Sequence, residues 1–215
     1  MEIVRGEDWY GRELDGVEFD GVEFIDVDLT EVRSAGATFT ACTFRKVRFN
    51  VSEHTDSAFV NCTFIGCNFF DATFRRCKVT GSSFSGCEFA LLKVDGGNWS
   101  FVDLGRAELR GADFTGVRLR EADLSRARCT EAVFSGCDLS AAVLTGADFS
   151  AANLVGSDLT GVDPTDVGLR GATIDDAKRS SWRRPPEWSS SPRPPDHPGD
   201  ATRRSPRAAT ASRDP

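Results

Sequence analysis

Large apolar and polar positions recur along this chain with a period of five. From Arg12 to Ile174 it reads, without insertion, in blocks of a small residue, a polar residue, a large apolar residue and two mostly polar or glycine positions. "ADFTG" (112–116), "CDLSA" (137–141), "ADFSA" (147–151) and "SDLTG" (157–161) are examples. Of 33 central positions, 29 hold Leu, Phe, Val, Ile or Trp, and the exceptions are Ser34, His54, Cys129 and Pro164. The first position is Ala, Val, Cys, Ser or Gly in 31 of 33 blocks, the exceptions being Arg12 and Leu92.

A helix repeats every 3.6 residues and a strand every two, so neither buries this pattern on one face. A coil in which each block makes one short side and turns a corner does. Four blocks, or about 20 residues, return the chain to stack on itself at the inter-strand spacing of about 4.8 Å. Central and first residues then point inward, and the first must be small because the interior is narrow. Glycine or a short polar residue in the last position supports the corner. Burying one large centre contributes roughly 1.5–3 kcal/mol, while ordering each residue costs about 1–2 kcal/mol. A single block therefore cannot hold its shape, and stacked coils can. The expected fold is all-β: a four-sided β-helix of about eight coils over residues 12–178, roughly 40 Å long.

Residues 1–11 are only partly in register. Glu7 and Arg12 are too large or charged for inward positions, and with Trp9 and Tyr10 they predict an N-terminal cap. Beyond Lys178 the composition changes: eight of the nine prolines follow, with no apolar periodicity. Residues 179–215 read as a Pro/Arg/Ser-rich disordered tail. Trp182 and Trp188 within it leave two alternatives, an unstructured extension or a peptide-docking segment.

Cys62 and Cys67 in "NCTFIGCNFF" resemble a metal or redox pair until the period is seen. Cys42, Cys62, Cys67, Cys77, Cys87 and Cys137 all take the small inward position, and Cys129 takes a centre. Each reads as a small buried hydrophobe. Cys42 and Cys62, like Cys67 and Cys87, stack one coil apart, but parallel side chains suit a disulfide poorly, so free thiols are expected. There is no phosphate loop, nucleotide fingerprint, nucleophile elbow or zinc-protease motif. His54 would need Glu53 or Asp56 and an open pocket to act in catalysis. In a packed rod it reads instead as a structural histidine with a local hydrogen-bond partner, on the same side as Ser34. No catalytic residue, metal ligand or cofactor is expected, and the protein does not read as an enzyme.

Charge adds a functional clue. The formal net charge is −7, which argues against direct nucleic-acid binding. Residues 1–31 hold 11 acids against Arg5 and Arg12, and residues 131–176 hold eight against Arg170; the middle, 32–130, has 10 acids and 14 bases. The rod thus has acidic ends and a mildly basic middle. No apolar run nears the length of a membrane span. The opening "MEIVRGEDWY" lacks a secretory pattern, so no membrane association and a cytoplasmic location are expected.

The period-five pattern resembles the pentapeptide-repeat proteins, whose rods are right-handed quadrilateral β-helices. "SEHTDSAFVNCTF" (52–64), "GGNWSFVDLGRAELRGADFTGVRLREADL" (96–124) and "GVDPTDVGLRGATI" (161–174) are similar to stretches of the Qnr/MfpA-type quinolone-resistance proteins within it. That resemblance implies a DNA mimic that binds DNA gyrase, sometimes topoisomerase IV, and protects it from fluoroquinolones. The outward acids Glu108, Asp113, Asp123, Asp138, Asp148 and Asp158 would then meet the enzyme's basic DNA-binding surface. Ile65, Phe70, Leu91 and Phe101, at nominally outward positions, make a candidate apolar contact. The family also joins two rods tail to tail through a C-terminal helix. Here Pro185 leaves room for a short helix at most, so a homodimer through the C-terminal coil stays one of two alternatives. The second functional reading is a non-catalytic β-helical scaffold for another protein partner, since fold does not fix function.

Overall fold

The computed structural model describes residues 2–175, and every regular element among them is a short parallel strand or bridge. The expected tail, with Trp182 and Trp188, and the segment around Pro185 lie outside the described residues.

Backbone pairing follows an offset of 20 throughout. Ile3–Arg5 pairs with Glu23–Ile25, that strand with Thr43–Arg45, and so on through Thr63–Ile65 to Ser83–Ser85. A second side is a ladder of bridges from Asp8↔Asp28 to Asp148↔Gly168. A third runs from Arg33–Ala35 through Glu53–Thr55, Thr73–Arg75, Lys93–Asp95 and Asp113–Thr115 to Val133–Ser135. The fourth pairs Glu18–Asp20, Thr38–Thr40 and Ala58–Val60, then continues as bridges to Asp158. Four sides close a β-solenoid of about eight coils, as the period requires.

The ladder starts at Ile3, nine residues ahead of Arg12. The segment expected as a cap therefore carries coil backbone. Trp9 in this segment packs on Phe19 and Phe24, and the Arg12 guanidinium lies 5.5 Å from the Trp9 ring centroid.

Inside, the central residues stack ring on ring. Phe24, Phe44, Phe64 and Phe84 form one column with centroids 4.6–4.8 Å apart and planes within 6° of parallel. Rings of neighbouring sides meet edge to face, as Phe44 does Phe49, so both favoured aromatic geometries are used. Beyond residue 100 leucine takes over most centres, including the buried Leu104, Leu109, Leu119 and Leu124.

The corners set the last position of each block. Every fifth residue from Gly6 to Gly161 has φ between +50° and +78°. Glycine fits this left-handed region, yet Val51, Leu91 and Phe101 also occupy it. The expected preference for glycine or a short polar residue is thus broader in fact. Elsewhere glycine is obligatory for another reason: a Cβ on Gly97 would stand 2.2 Å from the Cys77 carbonyl oxygen. Its backbone, at φ +90°, follows the corner at Gly96 and leads to Trp99, the largest fully buried side chain.

Serine and cysteine at the small inward position show how polarity is tolerated. At corners without a turn bond, a serine one coil on accepts the orphaned N–H: Ala37, Cys62 and Cys137 donate to Ser57, Ser82 and Ser157. The cysteine thiols donate to carbonyls of the preceding coil, Cys62 to Phe39 and Cys67 to Phe44, each at 3.3 Å. All seven cysteines are free. Pro164 breaks the pattern locally. The N–H of Gly146 bonds Asp166 O at 2.7 Å, an offset of 20 where neighbouring corners use 19, and Phe149 to Gly168 restores the register.

Candidate partner-binding surface

The second residue of each block points outward from the start of a side, and it carries the largest share of the surface charge. Where it is Asp or Asn, its Oδ1 commonly accepts the N–H two residues on. Asp123 accepts Ser125 N at 2.8 Å, Asp138 Ser140 N at 3.0 Å, Asp148 Ser150 N at 2.9 Å and Asp158 Thr160 N at 3.0 Å. Asn68, Asn98 and Asn153 do the same for residues 70, 100 and 155. These are Asx turns that satisfy an N–H where the chain leaves the ladder for the corner. The acids on the C-terminal coils thus have a structural task.

Stacking distributes the six predicted acids over all four sides. Asp123 follows Asp103 on the first side, and Asp158 follows Asp138 on the fourth. Glu108 and Asp148 flank Arg128 on the second, where Arg128 Nη1 lies 3.4 Å from Glu108 Oε2. Asp113 stands on the third, between Lys93 and Val133, and accepts the Thr115 hydroxyl at 2.8 Å. Asp103 and Asp163 belong with them and were not among the predicted residues. Their signal was available, since both are the Asp of an Asp-x-(Gly/Thr) corner and accept the N–H of Gly105 and Thr165.

The middle of the rod differs in how its charge is used. Arg45 pairs with Glu23, Arg48 with Asp28, Arg75 with Glu53, Arg76 with Asp56 and Lys93 with Asp71, at 2.6–3.3 Å. Each partner lies 20 or 22 residues earlier, so the stacking offset itself brings opposite charges together. Burial alone would raise the Asp28 pKa, but hydrogen bonds from Arg48 and Thr30 outweigh it and hold the carboxyl at about 2. By contrast Asp103, Asp113, Asp123, Asp138 and Asp163 have no cationic partner within ion-pair distance among the described residues. The Ser150 hydrogen bonds lower the Asp148 pKa and those from Thr165 lower that of Asp163, which keeps both ionised. Net negative surface therefore lies on the C-terminal coils, as it does on the N-terminal ones, where residues 1–31 hold 11 acids against Arg5 and Arg12.

The apolar residues do not form one patch. Leu91 occupies the corner between the second and third sides, one coil above Asp71 and so beside Phe70. Phe101 occupies the opposite corner, between the fourth and first sides, ten residues or half a coil away. Ile65 closes the first side and is only partly exposed. Phe70 and Leu91 remain as a pair, exposed by 42% and 55%. Among the described residues no group of three or more His, Cys, Asp or Glu side chains is arranged to hold a metal ion.

A family model described as "Pentapeptide repeats" matches residues 55–90, 94–126 and 127–163, with eight copies. Among solved structures, a trypsin-treated form of QnrB1, described as a plasmid-mediated fluoroquinolone resistance protein, is 20% identical. The match covers 84% of this chain and 93% of that one, with a TM-score of 0.47. HetL from the cyanobacterium Nostoc sp. strain PCC 7120, described as a pentapeptide repeat protein involved in heterocyst differentiation regulation, is 22% identical. There the coverage is 80% and 91% and the TM-score 0.45. No curated protein sequence matches the chain.

Proposed function

The chain belongs to the pentapeptide-repeat family, and on that premise we propose that it is a non-catalytic, cytoplasmic DNA mimic that binds a type II topoisomerase, DNA gyrase first. The observation that carries this reading is the unneutralised acid on the C-terminal coils. Asp103 and Asp123 follow one another on one side at the coil spacing of about 4.8 Å, with Asp113 and Asp138 on two others. Duplex DNA presents one phosphate per about 3.4 Å along each strand, so the rod offers charge of similar density on a slender body. A basic DNA-binding surface could exchange phosphate contacts for these carboxylates. Occupying it would inhibit supercoiling and keep a fluoroquinolone from its cleaved-DNA complex. The resemblance of residues 52–64, 96–124 and 161–174 to quinolone-resistance proteins points to the same partner.

A gyrase supercoiling assay with and without ciprofloxacin tests this. Inhibition by the purified protein, or relief of drug-induced cleavage, at micromolar concentration is expected, and both should weaken as salt rises. Absence of both effects would overturn the reading.

The Asx turns favour a second reading, a β-helical scaffold whose acids serve its own corners and whose partner is another protein. Consistent recovery of such a partner without topoisomerase, together with unchanged gyrase activity, would select it.

A further inference from the structure

Cys87 stands apart from the other thiols in its exposure, and a cleft and a second thiol adjoin it. It is the one cysteine of seven that is not fully buried. It lines a cleft of about 770 Å³ on the second side, with Glu88, Glu108, Arg110, Arg128 and Asp148 around it. Directly beneath it, one coil earlier, lies the buried Cys67. Corners on this line keep the neighbourhood open: residue 86 is glycine, and Ala107 covers Cys87 from the next coil with a single methyl group.

We propose that Cys87 is a peroxide-oxidised thiol and that Cys67 is its resolving partner, the pair closing into a disulfide between adjacent coils. The Cys87 sulfur attacks one oxygen of the peroxide. An S–O bond forms, the O–O bond breaks, and the second oxygen leaves as water or an alcohol after taking up the thiol proton. Cys67 sulfur then attacks Cys87 sulfur. The S–S bond forms, the S–O bond breaks, and the sulfenic oxygen leaves as water with the Cys67 proton. Two thiols are oxidised and one peroxide is reduced.

Exposure and spacing together support the assignment. The neighbouring Cys67 thiol draws the Cys87 pKa down against the burial that opposes it, while Cys87 and burial push Cys67 up. Of the two thiols, Cys87 is the one a peroxide can reach, and its pKa is shifted toward the thiolate, the form that reacts. Stacked coils place the two Cα atoms about 4.8 Å apart, inside the range that a disulfide spans. Parallel side chains need one χ1 rotation to meet, and only Cys87 faces open space in which to make it.

The Cys42–Cys62 pair is the internal control. It has the same 20-residue stacking, and the Cys62 thiol lowers Cys42 to about 7, but both thiols are fully buried. Folded full-length protein would be treated with hydrogen peroxide, blocked, digested and read by mass spectrometry. A Cys67–Cys87 cross-link is expected to form at least about ten-fold faster than oxidation of any other cysteine, as access dictates. In Cys67→Ala, which places at this position the alanine found at Ala72 and Ala112, dimedone should trap a sulfenic acid at Cys87. Equal oxidation of all seven cysteines, preferential oxidation of Cys42, or a folded Cys67→Ala protein whose Cys87 escapes dimedone would each overturn the proposal.

Discussion

Ser34 Oγ lies 2.7 Å from His54 Nδ1, linking inward residues of adjacent coils on the third side. The proton positions follow from the neighbours. Ser52 Oγ donates to the Phe49 carbonyl at 2.7 Å, so His54 Nε2, 3.1 Å away, must donate to Ser52. Nδ1 then accepts the Ser34 hydroxyl, and Ser57 completes the cluster at 3.0 Å from Ser34. The imidazole stacks on Phe74 with centroids 4.8 Å apart. It replaces a phenylalanine without leaving a buried polar atom unpaired.

That arrangement holds His54 neutral, and complete burial depresses its pKa from 6.5 to about 3. The unfolded chain takes up a proton below pH 6.5 and the folded chain does not. This contribution to stability is therefore full above pH 6.5 and is lost as pH falls toward 3. Between pH 7.5 and 5 the loss should be about 2 kcal/mol. Urea unfolding at the two pH values checks it, and in His54→Phe the loss over that interval should largely disappear.

Val51 holds φ +58° with a β-branched side chain, 41% exposed. The left-handed conformation costs such a residue about 1–2 kcal/mol, and asparagine tolerates it better. Val51→Asn should stabilise the rod by about 1 kcal/mol, read as a rise of about 2–4 °C in Tm.

Gly97→Ala should do the reverse. The added Cβ meets backbone atoms of Cys77 at 2.2 and 2.8 Å, and neither can move without displacing the coil below. A loss of at least about 2–3 kcal/mol is expected, in the range of backbone strain combined with overpacking. Chemical denaturation of the two proteins measures it.

Asp138 separates charge from structure. Asparagine can keep the bond to Ser140 N and removes the charge, as Asn68 and Asn98 do at equivalent positions. Asp138→Asn should leave stability within about 0.5 kcal/mol, whereas Asp138→Ala should cost about 0.5–1.5 kcal/mol through the lost hydrogen bond. With Asp123 and Asp158 also changed to Asn, a DNA mimic should lose gyrase inhibition about ten-fold or more at unchanged Tm. A scaffold with another partner should leave the gyrase assay unaffected by the same changes.

Much of this was legible in the residues, and the misses are instructive. The opposition of Leu91 and Phe101 was available from arithmetic alone, because ten residues are half of a 20-residue coil. The ion pairs Arg48–Asp28 and Arg76–Asp56 were equally available, each spanning one coil. The Asx turns were hidden because Asp in an outward position has the same pattern whether it serves a corner or a partner.

The period by itself determined the fold, the inward residues and the stacking partners, because a repeat with one large and one small apolar position per five can be buried only by a four-sided coil. Tertiary structure decided what happens where two coils touch: that Gly97 admits no Cβ, that Ser34 satisfies His54, that Pro164 shifts a hydrogen bond by one residue. Those outcomes depend on distances of a few ångströms between residues about 20 apart, and a periodic pattern fixes which residues meet without fixing how closely.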